Sequence, residues 1–313
     1  MAEHLLTKDL AYAAFSARHP PVLSVVAGAG DRITFETDDL AYAQMEEFGD
    51  LAQVSATINP VTGPVFVEGA EPGDVLAVTI HDIALADQGW SVSIPGAGAL
   101  ADLMGPEFFV RRVPVRDGRV QLTSTLNCPV APMVGCLGVA PAEADGSTVM
   151  PTLPTGGNMD LTDAAPGSTV YLPVQVPGAL LSLGDIHAVM ARAESSFVAI
   201  EIAGRATVSV DVVKGRRIRG PQLDTGTDYL CVGLGEPVQE SVRMAYESLF
   251  SVMVDDHGWD SHDAYVVMSA LAHTELGGPT GSREPDPLHP FRAVGAVTLA
   301  RIAKDVLRHP STR

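Results

Sequence analysis

The chain has 313 residues, 46% of them apolar, which is enough for at least one large core and allows about two domains. Its formal net charge of -18 repels a phosphate backbone or an anionic lipid surface, so nucleic acid and membranes are excluded as partners. Cys128, Cys136 and Cys231 are odd in number and form no CxxC pair, which excludes a disulfide framework and a thiolate zinc site and marks each as a small buried hydrophobe.

No segment reaches the ~20 apolar residues of a membrane span, and Met1 to Arg18 lacks a charged start followed by an apolar run. A cytoplasmic protein is therefore expected. Up to about residue 235 the sequence consists of short apolar runs punctuated by Gly, Pro, Asn and Asp, the texture of β-structure. Leu76, Val78 and Ile80 alternate with Ala77 and Thr79, which predicts a half-buried strand launched by the Pro72-Gly73-Asp74 turn. Carrying that alternation forward places Asp82 on the apolar face, where a carboxylate needs a partner or a metal. Phe197 to Ile202, followed by the Val208, Val210 and Val212 alternation, reads as a hairpin turning at Gly204.

Behaviour changes after Gly235. With Pro237 at a first helical position, Val238, Val242, Ala245, Leu249 and Val252 recur at helical spacing and predict a helix ending near Gly258. A second begins at a cap on Asp260 or Ser261 and runs through Tyr265, Met268 and Leu271. The two are expected as an antiparallel pair packed on the sheets. Gly277 to Pro290 reads as a long loop, and Phe291 to Leu307 as a strand, a helix, or one turning into the other. The expected fold class is α+β and mainly β. Its division is a β-rich domain over 1–135 and a second over 136–313 that carries the helices and shares a site with the first.

Two stretches are too polar and glycine-rich to be plain connections. Gly156-Gly157-Asn158-Met159-Asp160 is either a turn capped by Asn and Asp or a place where Asn158 and Asp160 project toward a shared site. In Gly184-Asp185-Ile186-His187, residues two apart in an extended segment face the same way, so Asp185 and His187 present an oxygen and an imidazole nitrogen together. With Glu194 from the returning chain this suits a zinc or similar divalent site; the alternative is a hydrogen-bonded structural cluster. His4, His257, His262 and His309 read as surface residues, His81 lies on the polar face of its strand, and Arg216, Arg217 and Arg219 form a solvated basic loop. No nucleophile elbow and no phosphate-binding glycine loop is present.

The run from Asn59 to Asp74, NPVTGPVFVEGAEPGD, resembles the N-terminal signature of the acetamidase/formamidase family. Further matches follow in order: Ile94-Pro95-Gly96, Gly156 to Asp160, Tyr171 to Val174, Pro177 to Leu180, and Gly184-Asp185 with His187 to Met190. The resemblance implies a β-sandwich-rich fold with added α/β elements, a homodimer, and hydrolysis of formamide, acetamide or similar small amides with a divalent metal, zinc or calcium. Carried onto this chain, it implies Asp185, His187 and Asp82 around the metal, with Glu194 or Asp160 moving the proton of the attacking water. Asn158 or a glycine N–H, such as that of Gly157, would stabilise the oxyanion.

The sequence departs from the pattern at three places. Thr155 stands where relatives carry His, Ala191-Arg192-Ala193-Glu194 stands for Gly-Asp-Gly-Glu, and His273-Thr274-Glu275 stands for Asp-Leu-Arg in the helical tail. If Thr155 and Arg192 contact substrate, Arg192 suits one bearing a carboxylate. Alternatives to a small-amide hydrolase are thus a relative acting on a different amide, and a binding protein without catalysis.

Overall fold

The structure, a computed structural model, describes residues 1–150, 152–278 and 296–308, apart from the side chains of 101 and 102. It is mainly β with few helices, as expected. Its spine is two long antiparallel strands, Val75–Ser93 and Glu201–Val213, paired from Val75↔Val213 to Trp90↔Glu201. Strands from both halves of the chain add to them. Arg32–Glu36 and Thr169–Pro173 flank the spine, and Leu181–His187 pairs with Met133–Gly138, Val61–Glu68 and the start of Glu201–Val213. The largest apolar cluster lies among these strands, with Ile33, Phe35, Leu76, Ile80, Leu137, Leu172, Leu181 and Leu183 fully buried.

Two expectations about the spine are corrected. No hairpin turns at Gly204; the chain runs straight on as one 13-residue strand. Glycine is needed there because a Cβ would lie 2.6 Å from the carbonyl of Ala84 on the neighbouring strand. Asp82, for its part, is exposed and far from the expected buried role. Ile80 pairs with Val208 and Asp82 with Thr207, which leaves His81 as the extra residue of a bulge. The bulge resets the alternation, so Ile83 takes the core face, and His81 hydrogen-bonds Ser209 at 2.8 Å on the other.

The two C-terminal helices form as expected, Val238–Ser251 continuing through a π-turn to Asp256, and Ser261–Leu271 capped by Asp260, whose side chain accepts from the backbone of His262. Pro237 is the cap rather than the first helical residue. Ala245, Leu249, Met253 and Met268 pack on Tyr229, Cys231, Ala300 and Ile302 of the Asp228–Gly235 and Ala296–Ala303 strands. Of the ambiguous stretch over 291–307, residues 296–307 form strand Ala296–Ala303 turning into a short helix, Lys304–Leu307, and 291–295 lie outside the described residues. His273 opens a strand and is exposed rather than packed in a helix. The expected loop over 277–290 lies outside the described residues except for its first two, as does His309.

Arg216 is not in a solvated loop. It is half-buried over the Tyr171 ring, bonded to Gln222 at 2.6 Å and Asp256 at 2.9 Å, while Arg217 and Arg219 are exposed. Cys136 and Cys231 are buried and Cys128 is partly so. Among the described residues no helix is long and apolar enough to cross a membrane.

Candidate functional site

The site assembles on three adjacent strands. Met133–Gly138 runs between Gly156–Asn158 on one side and Leu181–His187 on the other, with Cys136 opposite both Asn158 and Gly184. The carbonyl of Gly135 accepts the N–H groups of Met159 and Asp160 at 3.0 and 3.2 Å, which delivers Asp160 to the same end of the strands as Asp185 and His187. His187 pairs in register with Glu201, the first residue of the next strand. Glu194 folds in from the 191–197 turn, its N–H bonded to the Ala191 carbonyl and its own carbonyl accepting from Phe197.

Asp160, Asp185, His187, Glu194 and Glu201 are therefore brought together, all buried. One ligand atom each from Asp160, Asp185 and His187 lies within 4.8 Å of the others, and the same holds for His187, Glu194 and Glu201. The His187 Nε2 is 3.3 Å from Glu201, 3.5 Å from Asp185 and 3.8 Å from Asp160. Spacing alone indicated that Asp185 and His187 would share a face, and they do. Asn158 lines the same cavity, which measures about 20 Å³, beside Asn59, Tyr42 and Met45.

Several of these residues hold backbone conformations that cost side-chain-bearing residues roughly 1–3 kcal/mol each. Asn59, Asp160, Asp185, Glu194 and Phe197 all have positive φ, from 40° to 68°. Strain of this kind gathers around this one cavity.

The electrostatics are unbalanced. Burial, and then the charge of Asp185, hold the Asp160 carboxyl well above the carboxylate range; burial and Glu201 raise Asp185 to about 6; burial and Asp160 raise Glu194. Burial works against a charged His187, yet Glu201 and Asp185 outweigh it and hold the imidazolium well above its ordinary range. In return His187 overcomes the burial of Glu201 and keeps it below the usual range. Four buried carboxyls thus face a single imidazole. Both oxygens of Asp160, Oδ2 of Asp185, Oδ1 of Asn158 and Nδ1 of His187 are buried with no hydrogen-bond partner from the chain. Oxygen donors with one imidazole nitrogen, an excess of negative charge and unpartnered lone pairs fit a divalent cation.

Other expected site residues lie elsewhere. The Arg192 guanidinium is outside the cluster, bound to Asp163 at 2.7 Å and Glu275 at 3.1 Å, because it sits on the outer side of the turn whose inner side carries Glu194. Asp82 is on the solvent face of the spine. Gly157 is absorbed into the strand opposite Leu137, and a Cβ there would point toward Phe15 and Thr152. Thr155 is buried with an unpartnered hydroxyl but does not line the cavity. The cavity's polar residues Glu201, Tyr42 and Asn59 were missed. Glu201 did leave a signal, an acid inside the apolar Phe197–Ile202 run, and Asn59 opens the NPVTGPV signature.

Since Arg192 bridges Asp163 and Glu275, Arg192→Ala is expected to leave any substrate profile unchanged. It should lower Tm by no more than about 4 °C, the scale of a partly exposed ion pair. Thermal melts and a substrate panel on this variant check both halves; a changed profile would return Arg192 to the site.

A sequence model of the acetamidase/formamidase family matches residues 11–144 and 116–274. The chain is 28% identical to a formamidase of Methylophilus methylotrophus and to an acetamidase of Mycolicibacterium smegmatis, covering 63% of itself in each case and 63% and 64% of those proteins. It thus spans less than two thirds of the length of these curated relatives, and about half that of a putative formamidase of Schizosaccharomyces pombe at 29% identity. In structure it is similar to a predicted acetamidase/formamidase from the thermophile Thermoanaerobacter tengcongensis, with TM-score 0.85, 30% identity and complete coverage of both chains. A Bacillus halodurans acetamidase gives TM-score 0.85 at 28% identity over 98% of this chain and 100% of that one. The sequence match along most of its length and the shared fold place this chain in the acetamidase/formamidase family.

Proposed function

We propose that the protein hydrolyses short, neutral primary amides to carboxylate and ammonia, with a divalent metal, zinc or calcium, held by Asp160, Asp185 and His187. The observation that carries this reading is the buried cluster itself, with four carboxyls, one imidazole and unpartnered donor atoms at the edge of one small cavity. The formamidase and acetamidase names of the relatives support the substrate class. When bound, the cation supplies Lewis acidity, making water acidic enough to attack at neutral pH and polarising the amide carbonyl.

The chain's own residues do the rest. Glu194, lifted by burial toward neutrality, is matched to general acid–base work: it takes the proton of the attacking water and returns it to the amide nitrogen. The C–O bond forms, the C–N bond breaks, and ammonia leaves with that proton. Glu201 holds the His187 ring, with its own Oε1 fixed by the Ala199 N–H at 3.0 Å. Asn158 lines the cavity, and its side-chain N–H is the candidate donor to the oxyanion. Neutral substrates are favoured because no Lys or Arg lines the cavity among the described residues, so a substrate carboxylate would be buried without a counter-charge. A homodimer and a cytoplasmic location belong to the same proposal.

Ammonia release from formamide, acetamide and acidic amides such as succinamate tests the reading. Turnover of the neutral amides with none of the acidic ones is expected; preference for an acidic amide would overturn it.

A further inference from the structure

The cavity has two unlike sides. One is the ionisable floor; the other is apolar and belongs to a cluster separate from the main core, containing Tyr42 and Met45 of the Leu40–Phe48 helix with Ile94, Phe197 and Val198. An amide that turns its reacting carbon to the floor must lay its acyl chain against this second side. The space between is small, about 20 Å³, so each carbon added to an acyl chain presses on this wall.

The wall is also tied in place. Asp39, ahead of the helix, accepts hydrogen bonds from the Trp90 indole at 2.9 Å and from the Ala203 N–H at 3.3 Å. Gln44 Oε1 accepts the N–H groups of Ser55 and Ala56, both at 2.9 Å, and so binds the helix to the segment that carries Ile58 and Asn59. Tyr42 donates its hydroxyl to Asn59 Oδ1 at 2.9 Å. Met45 is 1% exposed, and its unbranched side chain is the part of the wall that substitution can shorten without touching those bonds.

We propose that Met45, backed by Tyr42 and Phe197, limits the acyl-chain length of the substrate. This rests on the amide-hydrolase reading above. A methylene that fits or clashes in an apolar pocket is worth roughly 10–200-fold in kcat/KM.

The experiment compares formamide, acetamide, propionamide and butyramide as substrates and, by ligand-observed NMR, as ligands of the metal-loaded protein. Wild type, Met45→Ala and Ile58→Ala are tested; Ile58 is only half-buried, so the second variant guards against misfolding of the first. The kcat/KM ratio of butyramide to acetamide should rise about 10-fold or more in Met45→Ala. If no amide is turned over yet binding shifts toward butyramide in the variants, the wall assignment stands and the hydrolase reading fails. If wild type turns over acetamide and neither variant changes the ratio, the wall assignment is overturned and the hydrolase reading stands. If wild type neither binds nor cleaves any amide, both are overturned.

Discussion

Gly135→Ala is expected to abolish amide hydrolysis although the residue carries no functional group. A Cβ there would lie 2.5 Å from Oδ1 of Asp160 and 2.5 Å from Oδ2 of Asp185, closer than any real contact. Neither side can give way easily. Both aspartates hold left-handed backbone, and the Gly135 carbonyl is pinned by the N–H groups of Met159 and Asp160. The added methyl must therefore splay the carboxylates, at a cost of about 1–3 kcal/mol for overpacking and with metal affinity lowered by at least the roughly 10–100-fold seen when ligand support is lost. Elemental analysis together with ammonia release checks this. A variant retaining full metal content and turnover would show that the two carboxylates do not act together.

Glu201→Gln should lower kcat/KM by about 10- to 100-fold, the range for losing a group that orients a metal ligand. Glutamine keeps the shape and still accepts the Ala199 N–H, so the strand register is preserved while the carboxylate that lies 3.3 Å from His187 Nε2 and orients its ring is removed. Loss of activity and of bound metal from a folded variant is the expected pattern. Unchanged turnover would reduce Glu201 to a packing residue.

How much of this was written in the sequence depends on the length scale of each signal. Asp185 and His187 are two residues apart on one strand, so period-two alternation sufficed to place them together. The C-terminal helices were legible for the same reason: spacing and the Asp260 cap are local. Asp82 was misplaced because one bulged residue, His81, inverts the positions that follow it, and a bulge is a property of two paired strands rather than of one. Glu201 was missed because its partnership with His187 is made by register between strands. Arg192 looked like a site residue because it stands where the family pattern has Asp, just before Glu194. Left-handed backbone at Ala193 and Glu194 turns the acid inward while the arginine stays outside with Asp163. The tie between Tyr42 and Asn59 crosses 17 residues and no periodicity announces it.

The most direct test is a titration of zinc or calcium into chelator-stripped protein, following bound metal and ammonia release from acetamide in the same samples. Activity should be absent from the stripped protein and rise in proportion to metal bound, with Asp185→Asn failing in both. Full turnover by stripped protein, indifferent to added metal, would contradict the assignment of the carboxylate–histidine cluster as a metal centre.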